Sequence, residues 1–252
     1  VFENERIEFE ADAATYSESV MFDSTLTTDA TRNVTYRPVS GSEHGAVFGA
    51  GVVLHDNGSG YGASQQIRDN FTVLDGLEVH VSNTSGFRTG LALSLTHDLL
   101  GVRIRNMLLW SQTQRTPLAG PSTGNFNTGS ASAPIVFENL LIRKTDNFAD
   151  MLEVKDRPGY EGHHIVTNCT FISDSAANHR AFSVRANTTL NVQITNTMSL
   201  VPWQWFQAGS GTLNLTGSNN FGPASQPFPA ALQGSPYPIT ATTNTTPGFG
   251  DY

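Results

Sequence analysis

Apolar and polar residues alternate along this chain in short runs, and the runs repeat. Six segments align on one position: TVLDGLEVHV (72–81), VRIRNMLLWS (102–111), IVFENLLIRK (135–144), HIVTNCTFIS (164–173), VQITNTMSL (192–200) and LNLTGSNNF (213–221). The shared column is Gly76, Asn106, Asn139, Asn168, Asn196 and Gly217. Two residues earlier stand Leu74, Ile104, Phe137, Val166, Ile194 and Leu215, and one residue later come Leu77, Met107, Leu140 and Cys169. The column residues lie 30, 33, 29, 28 and 21 apart. A fixed period of this size marks a repeat architecture. Alternation within each run, with β-branched and aromatic residues, selects strands over helices.

Each repeat therefore reads as a strand, a sharp bend, a second strand and a loop. Stacking such units gives an all-β fold, a right-handed parallel β-helix of about seven to nine rungs, with like positions about 4.8 Å apart. The bend needs a residue that tolerates left-handed backbone, and Gly and Asn are the least costly choices. Buried amides could also bond from rung to rung, so Asn106, Asn139, Asn168 and Asn196 are expected to form an internal asparagine ladder. GLALSLTHD (90–98), ADMLEVKD (149–156) and RAFSVRAN (180–187) supply further strands, with Leu152, Val154, Phe182 and Val184 pointing inward. HDNGSGYGAS (55–64) and LAGPSTGNFNTGSASAP (118–134) read as loops leaving the coil. The helix is expected over residues 1–220, with a Pro-rich cover or linker, part of the same domain, over 221–252.

Composition narrows the function. Of 252 residues, 38% are hydrophobic and only 14% charged; Ser, Thr, Asn and Gly fill the difference, as a turn-rich β fold requires. The formal charge is −8, and Lys144 and Lys155 are the only lysines, so a long phosphate-binding surface and nucleic-acid partners are not expected. With Cys169 alone there is no intrachain disulfide and no thiolate metal cage. No run reaches the ~18 apolar residues of a membrane helix, so no membrane insertion is expected.

With the rungs placed, the sequence resembles the pectate-lyase-like right-handed β-helix superfamily, and within it the β-helix domains of bacteriophage structural proteins and bacterial surface proteins. TTDATRNVTYRPVSGSEHG (27–45), IRDNFTVLDGLEVHVSN (67–83) and the asparagine column carry the resemblance. The ending TTPGFGDY (245–252) resembles the point where such domains enter a final strand and a closing motif, which is absent; the chain is thus expected to be a segment of a longer polypeptide. The resemblance implies the fold. It leaves the activity open, because this architecture hosts lyases, hydrolases, adhesins and inert virion parts.

The densest charged stretch is DNFADMLEVKDRPGYEGHH (146–164). Glu153, Lys155 and Arg157 share the outward parity, and Arg185 should stack beside Lys155 one rung on. One reading is a sugar site with Lys155 or Arg185 as base or carboxylate clamp, Glu153 as acid or metal ligand, and Asp156 and Arg157 nearby. The other is a solvated face with cross-strand ion pairs. Its carboxylates differ in parity and make no clean acid pair. His163 and His164 are adjacent on a strand and face opposite sides, so they chelate poorly. Trp203 and Trp205, two apart, share a face that could stack sugars or a neighbouring subunit. No metal site is expected, and no cofactor; calcium would enter only in a lyase. The reading favoured is a non-catalytic structural or display domain of an extracellular assembly, specifically a phage virion component (tail fibre, spike or capsid decoration). Its partners would be other virion or surface-protein subunits, and host or environmental polysaccharide. The alternatives are a carbohydrate-active enzyme, either a polysaccharide lyase or a glycoside hydrolase, and a glycan-binding adhesin.

Overall fold

The computed structural model describes residues 7–23, 28–56, 61–82, 87–93, 99–112, 118–119, 129–145, 150–155, 159–174, 180–185, 188–200, 207–208 and 211–222. Within them the chain winds through repeated turns of three strands. The first turn is β1 (Ile7–Ala11), β2 (Thr15–Tyr16) and β3 (Met21–Phe22). Next come β4 (Val34–Pro38), β5 (Val53–Asp56) and β6 (Tyr61–Ile67), then β7 (Thr72–Asp75), β8 (Glu78–Val81) and β9 (Phe87–Leu93). The middle turns are β10 (Arg103–Arg105), β11 (Leu108–Ser111) and β12 (Leu118–Ala119), followed by β13 (Ile135–Glu138), β14 (Leu141–Lys144) and β15 (Asp150–Lys155). The last are β16 (Glu161–Thr167), β17 (Thr170–Ser173) and β18 (Arg180–Arg185), then β19 (Thr189–Thr195), β20 (Met198–Ser199) and β21 (Gln207–Ala208), with β22 (Thr212–Ser218) beginning an eighth.

Every third strand pairs with its counterpart one turn away, always in parallel. The result is an eight-stranded sheet A, running from β1 to β22, and seven-stranded sheets B and C, running from β2 to β20 and from β3 to β21. This is the parallel β-helix that the repeat implied. The Gly- and Ser-rich stretch 55–64 departs from expectation, because from Tyr61 onward it is strand β6. Pairing with β3 on one side and β9 on the other holds it extended, and neighbours outweigh intrinsic strand preference.

From the third turn onward, the bend from sheet A to sheet B is one left-handed residue. Gly76 has φ 73°, and Asn106, Asn139, Asn168 and Asn196 have φ of 50–53°. Each donates its backbone N–H to the turn ahead, to Arg105, Glu138, Thr167, Thr195 and Ser218 respectively, at 3.0–3.1 Å. Two residues on, Leu108, Leu141, Thr170 and Met198 donate to the turn behind, to the carbonyls of Leu77, Met107, Leu140 and Cys169. The corner thus turns without losing a rung of hydrogen bonds.

Two details of the column differ from the sequence alignment. Gly217 pairs with Ile194, which makes Asn219 (φ 58°) the true partner of Asn196. Gly217 instead occupies an inward position where a Cβ would lie 1.7 Å from the Ile194 carbonyl oxygen. The asparagine side chains also point out of the coil, exposed rather than buried. They are bonded along the outer corner: Asn106 Nδ2 to Asp75 Oδ1 at 2.7 Å, Asn139 Nδ2 to Asn106 Oδ1 at 3.0 Å, and Asn219 Nδ2 to Asn196 Oδ1 at 3.3 Å. The residue after the bend turns in instead. Leu77, Met107, Leu140, Cys169, Thr197 and Asn220 stack behind the corner, all buried.

The core is a set of such columns. Leu74, Ile104, Phe137, Val166 and Ile194 line sheet A, and Leu54, Val79, Leu109, Ile142 and Phe171 line sheet B. Leu91 and Leu93, then Leu152 and Val154, line sheet C as the alternation required; the side chains of Phe182 and Val184 lie outside the described residues. Where the inner corner column turns polar, Asn220 closes it, accepting from Thr197 N at 3.0 Å and donating to the Ile194 carbonyl at 2.8 Å. Cys169 donates to the Thr167 carbonyl at 3.3 Å, and burial pushes its thiol up to about 12.

Because the asparagines serve backbone conformation more than buried bonding, Asn139→Ala should cost about 1–2 kcal/mol, the penalty for left-handed backbone in an ordinary residue. Asn139→Gly should cost clearly less. Asn220→Ala, which strands two buried backbone groups, should cost about 1–3 kcal/mol. Urea-unfolding midpoints of the three variants measure this, and equal losses for Ala and Gly at position 139 would contradict the assignment.

Candidate functional site

Sheet C carries the charged stretch singled out from sequence. Lys155 pairs in register with Arg185, and Glu153 with Ser183, so the two cations occupy equivalent positions on adjacent turns. Glu153 is half-buried. The side chains of Lys155 and Arg185 lie outside the described residues, as do Asp156, Arg157, Trp203 and Trp205 altogether. His163 and His164 lie on strand β16 of sheet A, facing opposite sides. His164 turns into the core behind Phe137, and His163 turns out, 3.2 Å from Glu161 Oε1. Among the described residues, no group of three or more His, Cys, Asp or Glu is placed to hold a metal ion.

A cavity among the described residues lies elsewhere, on the outer face of sheet A. Its floor is one outward column, in which Thr35, Val73, Arg103 and Val136 are register partners on β4, β7, β10 and β13. Its volume is about 330 Å³. Its walls come from the corner where the chain enters sheet A. Asp29 ties one wall by accepting from Thr31 N at 2.9 Å and Arg32 N at 2.9 Å and pairing with the Arg32 guanidinium, while Thr28 Oγ1 donates to the Asn70 carbonyl at 2.9 Å. Phe71 forms the next wall, with φ 50°, a backbone conformation uncommon for a bulky residue. Its ring lies over Gly101, where a Cβ would come within 2.4 Å of it. The turn from Ser130 to Pro134, closed by reciprocal backbone bonds between Ser130 and Ala133, completes the rim.

Two arginines reach this cavity. Arg105 is held by Asp75, Nε to Oδ2 at 2.9 Å and the terminal nitrogen at 2.8 Å, while Asp75 Oδ1 accepts from Asn106. Arg103, one outward position away, is exposed and has no carboxylate partner among the described residues. The other arginines with described side chains are all engaged: Arg32 by Asp29, Arg37 by Glu8 and Glu10, Arg68 by Asp23, and Arg143 by Asp174. Sequence reading passed over this site. The available signal was the pair Arg103 and Arg105, two apart and outward on one strand, but the walls that enclose them come from three distant turns.

Sheet B presents a different surface. His55, His80 and Trp110 are register partners whose rings stack, His55 on His80 at 4.7 Å and His80 on Trp110 at 4.0 Å, with the Arg143 guanidinium 5.3 Å above the indole. The segment 39–51 folds over this face. Phe48 packs edge-on against Trp110, Gly49 N donates to Glu78 Oε2 at 2.6 Å, and His44 Nε2 meets the Asn106 carbonyl at 2.7 Å. Burial raises the Glu78 carboxyl above its ordinary value. The ring faces are occupied by one another, so this column holds the strap down and offers no flat surface for a ligand.

The fold thus defines a parallel β-helix with decorated outer faces. No family model matches the chain, and no curated protein matches it. One similar solved structure is a pectin methylesterase crystallised in complex with a hexasaccharide, at 9% identity and a TM-score of 0.40, covering 91% of this chain and 83% of that chain. At that identity and score the likeness carries no argument about the site.

Two histidines, His164 buried and His80 half-buried, give the fold an acid limit. Burial lowers His80 from 6.5 to about 4, with the neighbouring His55 charge adding to it, and lowers His164 to about 3, helped by His163. Both bind a proton less readily folded than unfolded, so stability is full above pH 6.5 and falls as pH drops towards those values. His80→Phe keeps the stack and removes one titration. Its unfolding free energy should therefore fall less steeply than the parent's between pH 6.5 and 4; identical slopes in urea titrations across that window would contradict the burial of His80.

Proposed function

We propose that the chain is a non-catalytic display rod of an extracellular assembly, with a virion component such as a tail fibre, spike or capsid decoration as its specific setting. One observation supports the reading above others: the rung-to-rung hydrogen bonding passes through the asparagine corner without a break, from Gly76 to Asn196. A solenoid joined in this way transmits load along its axis while its corners carry loops outward. The outer faces add ion pairs between turns, Arg37 to Glu10 and Arg105 to Asp75 among them. The acidic, lysine-poor surface suits a setting outside the cell. Neighbouring subunits would be the partners of such a rod.

The rival is an enzyme acting on acidic polysaccharide from sheet C. A base there would need its pKa lowered by neighbouring positive charge, and Lys155 beside Arg185 is the position where that could occur. Uronate polysaccharides incubated with the protein, with and without calcium, should yield no unsaturated or newly reducing ends, while the chain resists protease under the same conditions. Cleavage products that disappear in Lys155→Ala would replace the display role with catalysis.

A further inference from the structure

We propose that the cavity on the outer face of sheet A binds an acidic sugar residue, its carboxylate held by Arg103. The proposal goes beyond the display role and does not depend on it. Its volume, about 330 Å³, falls at the lower end of the roughly 300–1,000 Å³ typical of small-molecule sites. The protein carries a formal charge of −8, yet the charged residues lining this cavity are Arg103 and Arg105, with no acid among them. Asp75 already neutralises Arg105 and accepts from Asn106 as well. Arg103 is left as a planar donor array, the group best suited to a bidentate carboxylate.

The walls decide what bears that carboxylate. Phe71, Val73, Pro134 and Val136 offer apolar surface, and Asn33 and Ser132 offer polar groups beside it. A pyranose has both an apolar face and a rim of hydroxyls. An extended peptide fits less well, because the backbone groups of the floor strands are spent on sheet pairing with their neighbours. A bound strand would find no edge to join. The site is also preformed. The Asp29 turn, the Phe71 ring seated on Gly101 and the Ser130–Ala133 turn are each fixed by their own contacts, so little ordering cost opposes binding.

Titration calorimetry of the whole chain with glucuronate, N-acetylneuraminate, glucose and an acetylated tetraglutamate peptide tests this. At least one acidic sugar should bind, and glucose and the peptide should bind about tenfold more weakly or worse, the worth of a charge-assisted bidentate contact. Which acidic sugar binds distinguishes a uronate source from a sialate source. Arg103→Gln, an exposed substitution, should lose the same tenfold, and Val136→Phe should block the floor. Arg143→Gln, on sheet B, should change nothing. Failure of both acidic sugars to bind, equal binding of glucose, equal or tighter binding of the peptide, unchanged affinity in Arg103→Gln, or an equal loss in Arg143→Gln would each overturn the proposal. Binding here without cleavage, or cleavage that depends on Lys155, separates this site from the question of catalysis.

Discussion

The structure depends on one backbone event, a single residue in left-handed conformation that turns the chain from sheet A into sheet B. A longer turn would leave backbone groups unpaired inside a stack that water does not reach. A right-handed residue would not send the next side chain inward. The left-handed residue keeps donors and acceptors aligned with the turns above and below, and it places Leu77, Met107, Leu140 and Cys169 over one another. Constant register at this corner then fixes register in both sheets. With register fixed, inward columns can be apolar and outward columns can carry charge.

That dependence explains what was legible in the sequence. Asn106, Asn139, Asn168 and Asn196 announce the corner because few residue types adopt its geometry, and the flanking apolar positions follow from strand alternation. Reading broke down where the pattern thins. At the last turn Gly217 imitates the column because it too is a glycine, but steric need at an inward position put it there, and only pairing with Ile194 separates the two causes. The exposure of the asparagine amides was likewise hidden. Sequence shows which residues flank a bend, and the side of the corner on which its side chain falls follows from φ.

The outer faces were harder to read, for a reason of distance. The sheet C cluster drew attention because its charges are adjacent in sequence, and register does place Lys155 beside Arg185. The cavity at Arg103 is assembled from residues about 30 apart in the chain, several of them apolar. In a solenoid the neighbours that matter lie one period away. A function written across turns therefore looks, in linear order, like scattered surface residues.

The corner residues from Gly76 to Asn219 lie between 23 and 33 positions apart, yet the bend itself never takes more than one residue. Across these turns the variation in length falls outside the bend. Mutation can lengthen, shorten or replace the segments outside it while the inner stack keeps its alignment. From the third turn on, the molecule thus separates inheritance of shape from inheritance of specificity: one corner is held constant while the length of each turn varies around it.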